Sequence, residues 1–228
     1  MLLTKRSKFA VISLILSTLA FHGGAHAQLE GVEYEWVEKR DRDGIRVFTS
    51  SVPDSPFKAV RGEMVVKASV AQLVALVNDL PRCPDWADLC EKSELLERIS
   101  EQERIVHIHN NIPFPVKDRD VVARMRWLQA EDTGRVTMHS QAMPESKSHE
   151  YQPPQSDAVR IYEAVTQWHF TPLDDEKVKV ENFAHIDPNG PTPAWLTNLL
   201  LVSSPFKTMQ AMRTIVEAGE YSDSELLF

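Results

Sequence analysis

The chain has 228 residues, 43% of them hydrophobic and 25% charged. Those values exclude a disordered or collagen-like chain and fit one large domain. The formal net charge of −8, with no clustered bases to offset it, excludes nucleic acid as a partner and disfavours general adhesion to anionic membranes.

Lys5, Arg6 and Lys8 precede an apolar run from Phe9 to Phe21, and Ala25-His26-Ala27 follows. Charged start, short apolar middle and A-x-A end read as a secretory signal peptide. The run is too short to span about 30 Å of hydrocarbon comfortably, which disfavours an uncleaved anchor. Cleavage after Ala27 is expected. Residues 1–27 are then the leader, and 28–228 form one exported, periplasmic domain.

The segment from Glu30 to Arg40 has no clear pattern. Asp43-Gly44 gives a turn, Gly44 to Val52 a strand, and Phe57 to Ala68 a second strand with Val60, Met64 and Val66 on one face. Ser69 caps a helix carrying Leu73, Leu76, Val77 and Leu80, which Pro81 stops.

Cys83 and Cys90 are the two cysteines. On one continuous helix they would stand about 10.5 Å apart, too far to bridge. A disulfide therefore needs the segment between them to turn, as Pro81 and Pro84 allow. The oxidising compartment favours that bond over two separate buried thiols.

Strands follow at Glu94–Ile99, Arg104–His109, Asp118–Leu128, Arg135–Met143, Val159–Thr171 and Lys177–Ile186, with polar turns between most of them. Asn110 to Lys117, with two prolines, and Glu145 to Ser156 read as loops. From Pro193 to Ala218 the apolar residues Trp195, Leu199, Val202, Phe206, Met209 and Val216 fall on one helical stripe, interrupted at Ser204-Pro205 and ended by Gly219. The tail to Phe228 is expected to fray. About eight hairpin-linked strands make an antiparallel sheet, and the final helix is its natural cover. The fold class is α+β, one domain.

Four segments resemble the START domain family in the family's own order. Asp43-Gly44-Ile45-Arg46-Val47-Phe48 looks like its first strand, and Asp79 with Trp86 like its "D … W" segment. Arg119-Asp120-Val121-Val122 looks like its "RD" strand opening. Gly190-Pro191-Thr192-Pro193-Ala194-Trp195-Leu196-Thr197-Asn198 looks like its turn into the last helix. The resemblance runs from about Trp36 to Arg213. It implies a helix-grip fold, a curved antiparallel sheet wrapped around a long C-terminal helix, with an apolar tunnel for one lipid.

No nucleophile elbow, phosphate-binding loop, dinucleotide fingerprint or metalloprotease motif occurs, so no catalytic residue is assigned and no cofactor is expected. His107 and His109 share a strand face as paired metal ligands would, but no carboxylate follows at a suitable spacing, and no metal is assigned. Arg119 shares a strand face with Val121, Ala123, Met125 and Trp127, so that face points inward. Arg119 either anchors a polar group of a ligand or sits at the strand mouth paired to an acid. The resemblance implies an arginine in the tunnel near an acidic residue, and both roles stay open.

Met125, Trp127, Met138, Trp168, Phe170 and Phe183 on strands, with Trp195, Leu199, Val202, Phe206 and Met209 on the last helix, are candidate ligand contacts as well as core. The expected function is a monomeric carrier of a lipid or other apolar molecule, touching membranes transiently. The alternative is a cyclase-like or hydrolase-like enzyme on an apolar substrate, using Arg119, His139, His169 or His185.

Overall fold

The computed structural model describes residues 32–152, 154, 157–173 and 176–226. The leader expected over residues 1–27 lies outside these residues. Hairpins, two antiparallel pairings between strands distant in the chain and one parallel pair join the described strands into one ten-stranded sheet. In chain order they are β1 (Val37–Arg42), β2 (Ile45–Val52), β3 (Ser55–Lys67), β4 (Cys90–Arg98), β5 (Glu103–Asn110), β6 (Asp118–Gln129), β7 (Val136–Ala142), β8 (Ala158–Ile161), β9 (Glu163–Pro172) and β10 (Lys177–Asp187). The spatial order is β1-β2-β3-β10-β9-β7-β6-β5-β4, and β8 lies beside β6.

Helix α1 (Val70–Asn78) starts on a full capping box. Ser69 Oγ accepts from the Gln72 amide, and the Gln72 side chain accepts from the Ser69 amide. A 3₁₀ turn at Leu80–Arg82 and the short α2 (Cys83–Trp86) follow. The chain then reverses through Leu89, at φ +77°, and brings the Cys83 and Cys90 Cα atoms to 5.9 Å, where the disulfide forms.

The long helix α4 (Ala194–Glu217) crosses one face of the sheet, called inner here, against β2 and β3. Its Phe206, Met209, Met212 and Val216 are buried in the main core with residues of α1 and the inner face. Gly62 permits the contact with β3. A methyl group there would stand 2.5 Å from Met209 Sδ. Pro205 lies inside the helix, so its residue nitrogen cannot bond the Leu201 carbonyl. Gly219, at φ +87°, follows the C-cap.

Several expectations need correction. The polar stretch before Asp43 holds edge strand β1, paired with β2. The expected loop after Met143 contains a helix, α3 (Glu145–Tyr151), which lies against β6 on the outer face. The expected strand from Val159 to Thr171 breaks at Tyr162, and its first part, β8, runs parallel to β6. The sheet is thus antiparallel with one parallel pair. The tail is tied down as far as it is described: Tyr221 donates to Asp79 at 2.7 Å, Gln72 donates to the Glu220 carbonyl, and Leu226 packs on the core.

Candidate functional site

The inner face is graded in side-chain size. Three registered strands carry Trp127, Met138 and Trp168 in one cross-strand row. The next row reads Met125, Ser140 and Thr166, and beyond it Ala123 faces Ala142. The bulky row is filled: Trp127 and Phe170 are fully buried, and Trp86 from α2 meets Trp168 edge-on at 6.1 Å. Where the side chains shrink, a cavity of about 170 Å³ opens. Its described lining is Ile108, Asn110, Val121, Ala123, Ser140, Ala142, Ile161, Ala164, Thr166 and Ile186. Its polar side chains are those of Asn110, Ser140 and Thr166, and none of the ten is titratable. A wider groove between the segment before β1 and the end of β2 is open and polar, lined by Glu33, Glu35, Lys39 and Lys58 among others.

Met125, Trp127, Met138, Trp168, Phe170, Phe206 and Met209 come together in the main core. They wall the inner face at the filled end and are not among the described lining of the cavity. Val202 packs at the edge of that core, half-buried. The side chains of Trp195 and Leu199 lie outside the described residues. Phe183 falls on the outer face, beneath Tyr34 and Trp36. The strand period of two puts it opposite to Asn182 and Ala184. Sequence reasoning favoured large apolar residues, whereas small inward ones leave space. Their signal was present in Ala123, Ser140, Ala142, Ala164 and Thr166, at alternate positions of paired strands.

Arg119 is buried and points at the turn before α4. Its Nε donates to the Pro188 carbonyl at 2.8 Å, and Nη2 donates to the Asn189 carbonyl at 3.0 Å and to Thr192 Oγ1 at 2.8 Å. Nη1 donates to the Lys117 carbonyl at 2.6 Å. Burial lowers its pKa, and the Asp118 charge opposes that shift. Its partners are carbonyls and a hydroxyl rather than the expected acid. It fastens two loops, 111–117 and 188–193, at the cavity end of the sheet.

The candidate enzymatic histidines face away from the cavity. His139, His169 and His185 all occupy outer-face positions of β7, β9 and β10. Burial, helped by the Arg135 charge, pushes His169 down to about 4, and its Nδ1 lies 3.0 Å from Thr137 Oγ1. Also on the outer face, β8's register sets Arg160 beside Asp120. Arg160 Nη2 donates to Asp120 Oδ2 at 2.6 Å and His107 Nε2 meets the same oxygen at 2.9 Å. Burial opposes ionisation of Asp120, but these two hydrogen bonds outweigh it and hold the carboxyl at about 2. Arg160 also donates to Ser148 Oγ and to the Gln152 carbonyl, which pins α3 to the sheet.

A sheet wrapped on a terminal helix, with a hollow left between small inward side chains, defines a helix-grip α+β protein. The START domain model matches residues 26–220, and the chain belongs to that family. An uncharacterized protein of Pseudomonas aeruginosa is 30% identical over 183 residues, which is 80% of this chain and 87% of that one. The crystal structure of a STAR-related lipid transfer protein from Xanthomonas axonopodis matches at 32% identity and a TM-score of 0.71. That match covers 79% of this chain and 98% of the other. Human StAR-related lipid transfer protein 5 shares the fold at 17% identity, with a TM-score of 0.70 over 81% of this chain and 87% of its own.

Proposed function

We propose that this START domain carries one lipid or similar apolar molecule in the inner-face cavity and shuttles it through the periplasm as a monomer. The observation that carries this reading is the loss of side-chain volume from Trp127–Met138–Trp168 to Ala123–Ala142 across registered strands. A face built only for stability would be filled to the end. The family likeness to lipid transfer proteins supports the same reading. Export is supported by the leader pattern in residues 1–27 and by the Cys83–Cys90 disulfide.

At about 170 Å³ the hollow suits a ring-sized group, since pockets for larger ligands run from about 300 to 1,000 Å³. A longer ligand requires the first half of α4 to lift. Two features favour that motion. Pro193 at the N-cap makes no side-chain capping bond and Pro205 breaks the hydrogen-bond ladder, so the buried Leu196 is a contact that the motion must release. Loop 111–117 adjoins Asn110 of the cavity lining and exposes Phe114 at 95%. It is the segment suited to brief membrane contact.

Desolvation drives loading. Each CH₂ gains about 0.8 kcal/mol on leaving water, so a sixteen-carbon chain gains on the order of 12 kcal/mol. Extraction from a bilayer forfeits a similar amount, so the exchange is near balance and the load can be released. Among the described residues the lining holds no titratable group, which favours carriage over catalysis, since catalysis needs convergent titratable groups. A fluorescent fatty-acid probe titrated into the purified protein tests the reading. Saturable one-to-one binding that unlabelled lipid displaces is expected. Failure to bind any acyl or ring probe would contradict it.

A further inference from the structure

The two histidines of β5 part company in the structure. His107 is committed to Asp120. His109 meets two carboxylates brought from neighbouring strands, Glu91 of β4 and Asp118 of β6. His109 Nε2 lies 3.4 Å from Glu91 Oε2 and 3.4 Å from Asp118 Oδ2. Both separations are long for N–H···O bonds, which centre near about 2.9 Å. They do match the edge of a tetrahedron about a small cation. Bonds of about 2.0–2.1 Å to nitrogen and oxygen put neighbouring ligand atoms about 3.3–3.4 Å apart.

The three ligand atoms lie within 4.8 Å of one another, so the two carboxylates face each other across a space that a cation would neutralise. Asp118 is already oriented, because its Oδ1 accepts the Ile112 amide at 2.8 Å and leaves Oδ2 for the cluster. Glu91 arrives through the register shift between Cys90 and Lys92, directly after the disulfide, and its side chain is 58% exposed. A cation thus has an open approach.

We infer that Glu91, His109 and Asp118 form a divalent transition-metal site, fitted to Zn²⁺, that staples β4, β5 and β6 and stiffens loop 111–117. One imidazole and two carboxylates suit zinc with a water in the fourth position. Calcium requires six to eight oxygens, more than this cluster offers.

Calorimetric titration of the purified protein with zinc chloride tests the site. One-to-one binding is expected, weakened tenfold or more by Glu91→Gln and by Asp118→Asn. Glu94→Gln, beside His107, should leave it unchanged. Circular dichroism of each variant verifies its fold, and the exposed Glu91→Gln keeps the test decisive should Asp118→Asn, which also holds the Ile112 amide, misfold. Zinc should also slow hydrogen exchange of the Ile112 amide. Absence of saturable binding, binding that survives Glu91→Gln in full, or equal affinity for calcium would overturn the inference. None of these readouts depends on lipid carriage.

Discussion

Ala123 stands directly across the β6–β7 ladder from Ala142, and both line the cavity. Two methyl groups meet here, and the row beside them holds Ser140 and Thr166, two steps from the tryptophans. The hollow is therefore a property of a few small residues, these two alanines with Ser140, Ala164 and Thr166. Ala142→Leu should fill it. Probe binding is expected to fall at least tenfold, while the melting temperature holds or rises, because the added side chain enters open space. Overpacking would instead cost about 1–3 kcal/mol. Unimpaired binding by a folded Ala142→Leu variant would place the ligand elsewhere.

Arg119 is expected to matter for the loops more than for the ligand. Arg119→Met removes four donated hydrogen bonds and should cost about 2–3 kcal/mol in urea unfolding. Hydrogen exchange should quicken in residues 188–193. If the variant is as stable as the parent and loses only lipid affinity, Arg119 is a ligand anchor instead.

Two buried groups give a stepped acid response. His169 is held neutral down to about pH 4, below its ordinary value near 6.5. The unfolded chain therefore binds that proton first, and stability falls as pH drops from about 6.5 to about 4. Asp120 is held at about 2, so its contribution is intact above about pH 4 and fades as pH falls towards 2. Urea midpoints measured against pH should show both limbs. His169→Gln should flatten the upper one, and Asp120→Asn, which leaves Arg160 buried without its anion, should cost about 3–5 kcal/mol at neutral pH. A parent profile flat from pH 6.5 to 4 would contradict the His169 assignment.

Gly62 and Met209 set how closely α4 lies on β3. Gly62→Ala forces Met209 out of its position and should cost about 1–3 kcal/mol. Pairing it with Met209→Ala should recover part of that loss, relative to Met209→Ala alone, in a thermal-denaturation double-mutant cycle. Simple additivity would mean that the two residues do not constrain one another.

What the sequence revealed depended on the kind of signal each element left. The α1 start was legible because Ser69, a good capping residue, stands just before the helical spacing of Leu73, Leu76 and Val77, whereas the Gln72 half of its capping box was not read. The turn between the cysteines was legible because no helix can bridge them. The strands announced their faces through alternation, and Arg119 with its apolar neighbours was correctly oriented. The inner face of β6 was read, but its empty part was not, since alternation reports which way a residue points and not whether anything meets it. Helix α3 carries no apolar stripe and is held by Arg160 through Ser148 and Gln152, a contact that exists only once β8 has paired with β6. The Glu91–His109–Asp118 cluster was invisible for a related reason, because a register shift in β4 brings Glu91 into line.

Native mass spectrometry of the protein purified from its own host tests the central claim most directly. The expected spectrum contains a one-to-one complex that releases a lipid or similar apolar molecule on activation, and Ala142→Leu abolishes that species. A protein that emerges bare from its host and stays bare after incubation with host lipid extract would contradict carriage in the inner-face cavity.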